Sequence, residues 1–115
     1  MNFHDELKFY MHKYVKYIYK VTKKFPKDEQ FGVTSQIRRS SMSVILNYVE
    51  GFARRRGEQC KVYNNFLGIS YGSLKESRYL LFFSYEENYI SKEEYDIGLA
   101  MNDKIGKMLW SIYNY

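Results

Sequence analysis

Apolar positions along the chain recur at steps of three and four, with almost no strand-like alternation. That period marks helices with one buried face. Four such segments are predicted. The first spans about His4 to Lys24, where Leu7, Met11, Tyr14, Ile18 and Val21 form one face. Lysines 8, 13, 16, 20, 23 and 24 lie largely off that face. Pro26 disfavours helical geometry at Phe25 and so ends the segment.

The second segment runs from about Thr34 to Phe52. Thr34 or Ser35 is the candidate N-cap, Ile37, Ser41, Val44 or Ile45, and Tyr48 make the face, and Gly51 is placed to help end the helix. The third runs from about residue 57 to Asn88 and carries two stripes. One is Tyr63, Leu67, Ser70, Leu74, Ser77, Leu81 and Tyr85; the other is Val62, Phe66, Ile69, Leu80 and Phe83. Two apolar faces predict burial on more than one side, along a helix of about 45 Å. Gly68 and Gly72, four apart, suit close helix approach.

The fourth segment, about residues 91–113, opens on "SKEE", a capping box with Ser91 as cap and Glu94 three residues on. Tyr95, Leu99, Asn102, Ile105, Leu109 and Ile112 give its buried face. Short connections make consecutive helices antiparallel. The expectation is therefore an all-α, single-domain, up-down-up-down four-helix bundle over residues 1–115.

Composition adds two things. Thirteen tyrosines and eight phenylalanines are more half-buried rings than a small bundle holds, and subunit interfaces use such rings. Charge is uneven: residues 1–62 carry +7 and residues 63–115 carry −2, for a total of +5. This asymmetry suggests a basic face toward an anionic partner, against the plainer alternative of charge for solubility. The single cysteine, Cys60, excludes an internal disulfide, and no apolar run is long enough to span a membrane. Together they predict a cytoplasmic protein without a membrane partner.

The chain "FPKDEQFGVTSQIRRSSMSVILNYVEGFARR", followed by "FLGISYGSLKES" and "NYISKEEYD", resembles the four helix bundle protein family. Its members include proteins encoded in intervening sequences of bacterial large-subunit ribosomal RNA genes, and the accessory variability determinant of diversity-generating retroelements is a relative. Phe25-Pro26, Thr34 to Arg39, Asn47, Glu50-Gly51, Arg54, Gly72-Ser73-Leu74 and Glu76 carry the resemblance. It implies a homopentameric, barrel-like ring of bundles, no established enzymatic activity and nucleic-acid binding, with a reverse-transcriptase partner in the retroelement branch. Ile45 stands where the family usually has proline, which implies a straighter second helix.

Three groups of polar residues are candidates for function. Arg38 and Arg39 point about 100° apart on a helix, so they divide between an internal or intersubunit ion pair, with Glu50 as one possible partner, and a nucleic-acid contact. Asn47 and Glu50, three apart, are read as a polar pair that fixes register, since no nucleophile or base accompanies them. Arg54, Arg55 and Arg56, with Lys61 one turn into the next helix, are the leading phosphate-binding candidates. Arginine forks match phosphate oxygens, and a ring would multiply the patch. The lysine face of the first helix, with Tyr10, Tyr17 and Tyr19 interleaved, is read as solvated unless it lines a ring.

His4, at the chain's fraying end, His12 and Cys60 match no metal-ligand spacing, and neither a phosphate-binding glycine loop nor a triad is present. No cofactor, metal or catalytic residue is expected. The functional expectation is a non-enzymatic, oligomeric bundle that binds RNA or DNA through a basic surface. The alternative is a scaffold docking a protein such as a reverse transcriptase or other polymerase.

Overall fold

A computed structural model describes residues 1–55 and 60–113. It contains four α-helices and one short 3-10 turn, with no strand among the described residues: α1 Phe3–Thr22, the turn Lys27–Glu29, α2 Val33–Ala53, α3 Lys61–Glu86 and α4 Lys92–Ile112. The molecule is elongated, 47 × 26 × 21 Å. Each helix packs on two others: α1 on α2 and α4, and α3 on α2 and α4.

Local chemistry sets the helix ends. Asn2 caps α1, accepting from the Asp5 amide at 2.8 Å. Three residues before Pro26, α1 has already ended, and Phe25 turns into the core. The start of α2 differs from expectation. Its N-cap is Gly32, and the Glu29 carboxylate accepts from the Val33 amide at 3.3 Å. Thr34 lies inside the helix, buried, its hydroxyl without a hydrogen-bond partner among the described residues. α2 continues unbroken through Ile45.

Cys60 caps α3, its Sγ accepting from the Tyr63 amide at 3.3 Å. The predicted start at residue 57 lies outside the described residues. α3 closes on Asn88, whose φ of 64° is the left-handed conformation that asparagine tolerates better than most residues. The Tyr89 amide bonds the Ser84 carbonyl at 2.8 Å and the Asn88 amide that of Tyr85 at 3.0 Å, a Schellman closure. Ser91 and Glu94 form the reciprocal capping box of α4.

The buried faces follow the sequence periodicity closely. Leu7, Met11, Tyr14, Ile18 and Val21 from α1 meet Ile37, Val44 and Tyr48 from α2, Leu67, Leu74 and Leu81 from α3, and Ile105 and Leu109 from α4. At the margins of the predicted faces, Tyr63, Tyr85, Tyr95, Leu99 and Ile112 are only half-buried. The second stripe of α3 is covered unevenly within one chain: Phe66, Leu80 and Phe83 are half-buried, whereas Val62 and Ile69 are 46% and 51% exposed.

Two glycines change role. Gly51 does not end α2; it is buried inside it, and a Cβ there would stand 2.6 Å from Phe66 Cβ. Its missing side chain lets α2 approach α3. Gly68 packs under the Tyr113 hydroxyl, whereas a Cβ on Gly72 would meet nothing within 4 Å.

Candidate nucleic-acid interface

The C-terminal end of α2 and the first turn of α3 bring together Arg54, Arg55 and Lys61. All three are exposed. Arg56 lies outside the described residues. The floor beneath them is aromatic and comes from three helices. His4 of α1 stacks on Phe52 of α2, with ring centroids 3.4 Å apart, and its Nδ1 lies 2.8 Å from the Tyr48 hydroxyl. Tyr63 of α3 meets Phe52 edge-on at 6.3 Å. Far from fraying, the first turn of α1 is anchored here.

Arg55 sits over the Phe52 ring of this floor, its guanidinium carbon 3.7 Å from the ring centroid. Its charge opposes protonation of His4 and favours ionisation of Tyr48 and Tyr63. Burial nonetheless holds both phenols above their ordinary range, and burial with nearby Lys8 holds His4 below its own. A guanidinium stacked on a ring keeps its N–H edge free to meet a planar oxyanion.

Arg54 donates from Nε to Glu50 Oε2 at 2.7 Å and lies 5.6 Å from the Phe66 ring. This exposed pair, four residues apart on one helix, contributes about 0.5 kcal/mol or less. A phosphate therefore competes readily with Glu50 for Arg54. Lys61 makes no ion pair among the described residues.

Arg38 and Arg39 are not part of this group. They sit at the start of α2, about 24 Å along the helix from Arg54. Arg38 donates from Nε to Thr22 Oγ1 at 2.8 Å, and its guanidinium lies 4.7 Å from the Tyr19 ring, so it ties α2 to the end of α1. Arg39 bonds Gln36 at 3.2 Å and Glu76 of α3 at 3.1 Å. Within one chain, Glu50 pairs with Arg54 and with neither of these arginines. Asn47 donates to the Ser43 carbonyl and hydroxyl, both at 2.9 Å, and Ser43 meets Ser73 of α3 at 2.7 Å. Asn47 thus belongs to a polar seam between α2 and α3.

Sequence reading missed the aromatic floor. Its signal was present in the i, i+4 pair Tyr48 and Phe52, but the partnership with His4 is set by packing across the bundle. Among the described residues, no group of three His, Cys, Asp or Glu side chains is arranged to hold a metal, and no helix is long and apolar enough to cross a membrane.

Comparison with known proteins fits this architecture. No curated protein matches the chain. A crystal structure from Bacteroides thetaiotaomicron VPI-5482, described as a protein with unknown function from the S23 ribosomal protein family, is similar with a TM-score of 0.77 and 22% identity. The match covers 99% of this chain and 100% of that one, and at this identity it speaks to the fold. The family model described as 23S rRNA-intervening sequence protein matches residues 7–111. The chain belongs to that family.

Proposed function

We propose that this protein is a non-enzymatic, oligomeric four-helix bundle that binds RNA or DNA through the basic end formed by Arg54, Arg55, Arg56 and Lys61. The observation that carries this reading is the stacking of Arg55 on the Phe52 ring beside exposed Arg54 and Lys61. The Phe52 ring holds the position of a cation, and a guanidinium placed over a ring can still offer its N–H groups to an oxyanion. Contacts to phosphate are sequence-independent and release counterions, so binding is weakly specific and falls steeply with salt. Arg38 and Arg39, occupied by Thr22 and Glu76, have at most a secondary part. Replacing Arg54, Arg55 and Arg56 by alanine is expected to lower affinity for nucleic acid with the oligomer unchanged. Equal affinity of the triple variant and the natural chain overturns the assignment.

The same proposal includes an up-down-up-down course and self-assembly into a ring. Contacts support the course: His4 meets Phe52, Arg39 meets Glu76, Arg78 meets Asp103, and Tyr17 meets the Glu94 carbonyl. Each joins positions that antiparallel neighbours bring level. An exposed apolar strip supports assembly. On α2, Arg39, Leu46 and Ala53 recur every seven residues; on α3, Val62, Ile69 and Glu76 do the same. Since Arg39 pairs with Glu76, antiparallel helices set Leu46 beside Ile69 and Ala53 beside Val62. Leu46 is 58% exposed and Val49 43%, a seam suited to a second copy. If nucleic acid fails to bind and a polymerase is recovered on this strip, the scaffold reading takes its place.

A further inference from the structure

α3 and α4 enclose an open groove of about 370 Å³. Tyr71, Lys75, Gly106, Lys107 and Trp110 line it, together with Asp103, whose carboxylate is neutralised by Arg78. Its size is at the lower end of ligand-holding clefts. Trp110 is 52% exposed. It is buttressed by Tyr71, with centroids 5.5 Å apart, and by Tyr113 at 6.0 Å. Gly106 leaves the floor beside it without a side chain. Lys75, 5.2 Å from the Tyr71 ring, and exposed Lys107 stand on the two helices that form the walls.

The other flank of α4 repeats this chemistry. A groove of about 230 Å³ is lined by Tyr10, Lys13, Ala100, Met101 and Lys104. Lys104 lies 5.1 Å from the Tyr10 ring, and Lys13 5.4 Å from that of Phe9. Lys104 and Lys107, three apart, share one face of α4 and so link the two grooves.

A half-exposed indole backed by rings and flanked by cations suits a planar base that carries phosphate. We propose that the α3–α4 groove binds an unpaired nucleotide of a single-stranded nucleic acid, its base stacked on Trp110 and its phosphates held by Lys75 and Lys107. Aromatic stacking is tolerant of base identity. A duplex hides its bases and offers this groove only phosphates. The residues that line the groove include neither Arg54 nor Arg55, and the site stands or falls apart from them.

Trp110 is the only tryptophan, so its fluorescence reports the groove directly. The experiment titrates the full chain with a short oligothymidylate, with a duplex hairpin of equal phosphate number and with thymidine monophosphate. Saturable quenching is expected with the single strand, with little change from the duplex. The Trp110 variants lack this fluorophore and are read by the anisotropy of a labelled strand: Trp110→Ala is expected to weaken single-strand binding about tenfold or more while leaving duplex binding unchanged, and Trp110→Phe to retain part of the affinity. Lys75→Ala with Lys107→Ala lowers the salt dependence of single-strand binding. Arg54→Ala with Arg55→Ala leaves the quenching in place, whatever becomes of duplex affinity. Circular dichroism confirms that each variant keeps its helices. Equal single-strand affinity of the natural chain and both Trp110 variants overturns the site. Quenching by the mononucleotide as tight as by the strand overturns the strand assignment.

Discussion

The Asn102 amide donates to the Tyr14 hydroxyl at 3.0 Å, across 88 positions of sequence, inside the apolar core. The same amide donates to the Leu74 carbonyl at 3.0 Å. Ser77 also lies 2.8 Å from that carbonyl, which can only accept, so the serine proton points there. The Tyr14 proton is then left for Ser77 Oγ, 2.7 Å away. Every proton in this buried cluster has an acceptor, and α1, α3 and α4 are locked in one relative position.

Partial removal of this network should cost more than its net strength suggests. Tyr14→Phe removes the donor to Ser77 and an acceptor for the buried Asn102 amide, and is expected to lower stability by about 1–3 kcal/mol. Asn102→Asp buries a carboxylate opposite the Leu74 carbonyl and is expected to cost about 3 kcal/mol or more at neutral pH. The Asp form should regain stability as pH falls, because its neutral acid can donate. Urea unfolding at two pH values checks both. An Asn102→Asp chain as stable as the natural one at pH 7 contradicts the network.

Alkaline pH should unfold the bundle through its tyrosines. The Tyr17 hydroxyl donates to the Glu94 carbonyl at 2.7 Å, and burial, followed by the charges of Glu94 and Glu93, pushes its pKa up to about 12. Burial also raises Tyr14, Tyr48 and Tyr63. A folded-state pKa above the unfolded value near 10 means the native state keeps its proton longer. The stabilisation is complete below pH 10 and is lost as pH climbs towards 12. Urea midpoints measured from pH 8 to 12 should decline from about pH 10 upward; a flat profile speaks against buried, protonated phenols.

Gly51 and Gly72 should respond oppositely to alanine. At Gly51 the new methyl meets Phe66 Cβ at 2.6 Å and the Tyr63 carbonyl at 3.3 Å, so α2 and α3 must separate. A loss of about 1–3 kcal/mol is expected. At Gly72 the methyl enters open space, and alanine is the better helix former by about 1 kcal/mol. Thermal melts of the two variants under monomeric conditions give the comparison directly.

Assembly should fail when the exposed strip on α2 and α3 is charged. Leu46→Glu with Ile69→Glu removes no buried core contact, since both residues are more than half exposed. Sedimentation analysis is expected to show a folded monomer in place of the oligomer. Unchanged mass would place the self-contact elsewhere.

How much of this was readable without coordinates depends on the kind of information needed. Periodicity carries the helices and their inner faces because burial repeats with the helical turn, as the α1 face from Leu7 to Val21 illustrates. It carries depth and partnership less well. Periodicity puts Asn102 and Ser77 on buried faces, yet nothing in spacing pairs them with Tyr14. Position in the chain makes His4 part of a fraying end, whereas stacking on Phe52 overrides that position. Gly51 resembled a terminator, but its role depends on how near Phe66 approaches.

The charge balance misled in a similar way. Residues 63–115 sum to −2, which hid Lys75, Lys104 and Lys107. Glu86, Glu87, Glu93, Glu94 and Asp96 cluster around the α3–α4 connection, so the acidic charge sits at one end and the lysines occupy the grooves farther along.

The most direct test of the central claim is an equilibrium titration of the natural chain against labelled structured RNA and duplex DNA at low and near-physiological salt. The account predicts binding at low salt that drops steeply, with log affinity linear in log salt concentration, as expected when arginine and lysine displace counterions from phosphate. Absence of binding at low salt, or affinity that does not change with salt, would contradict a phosphate-binding surface at Arg54, Arg55, Arg56 and Lys61.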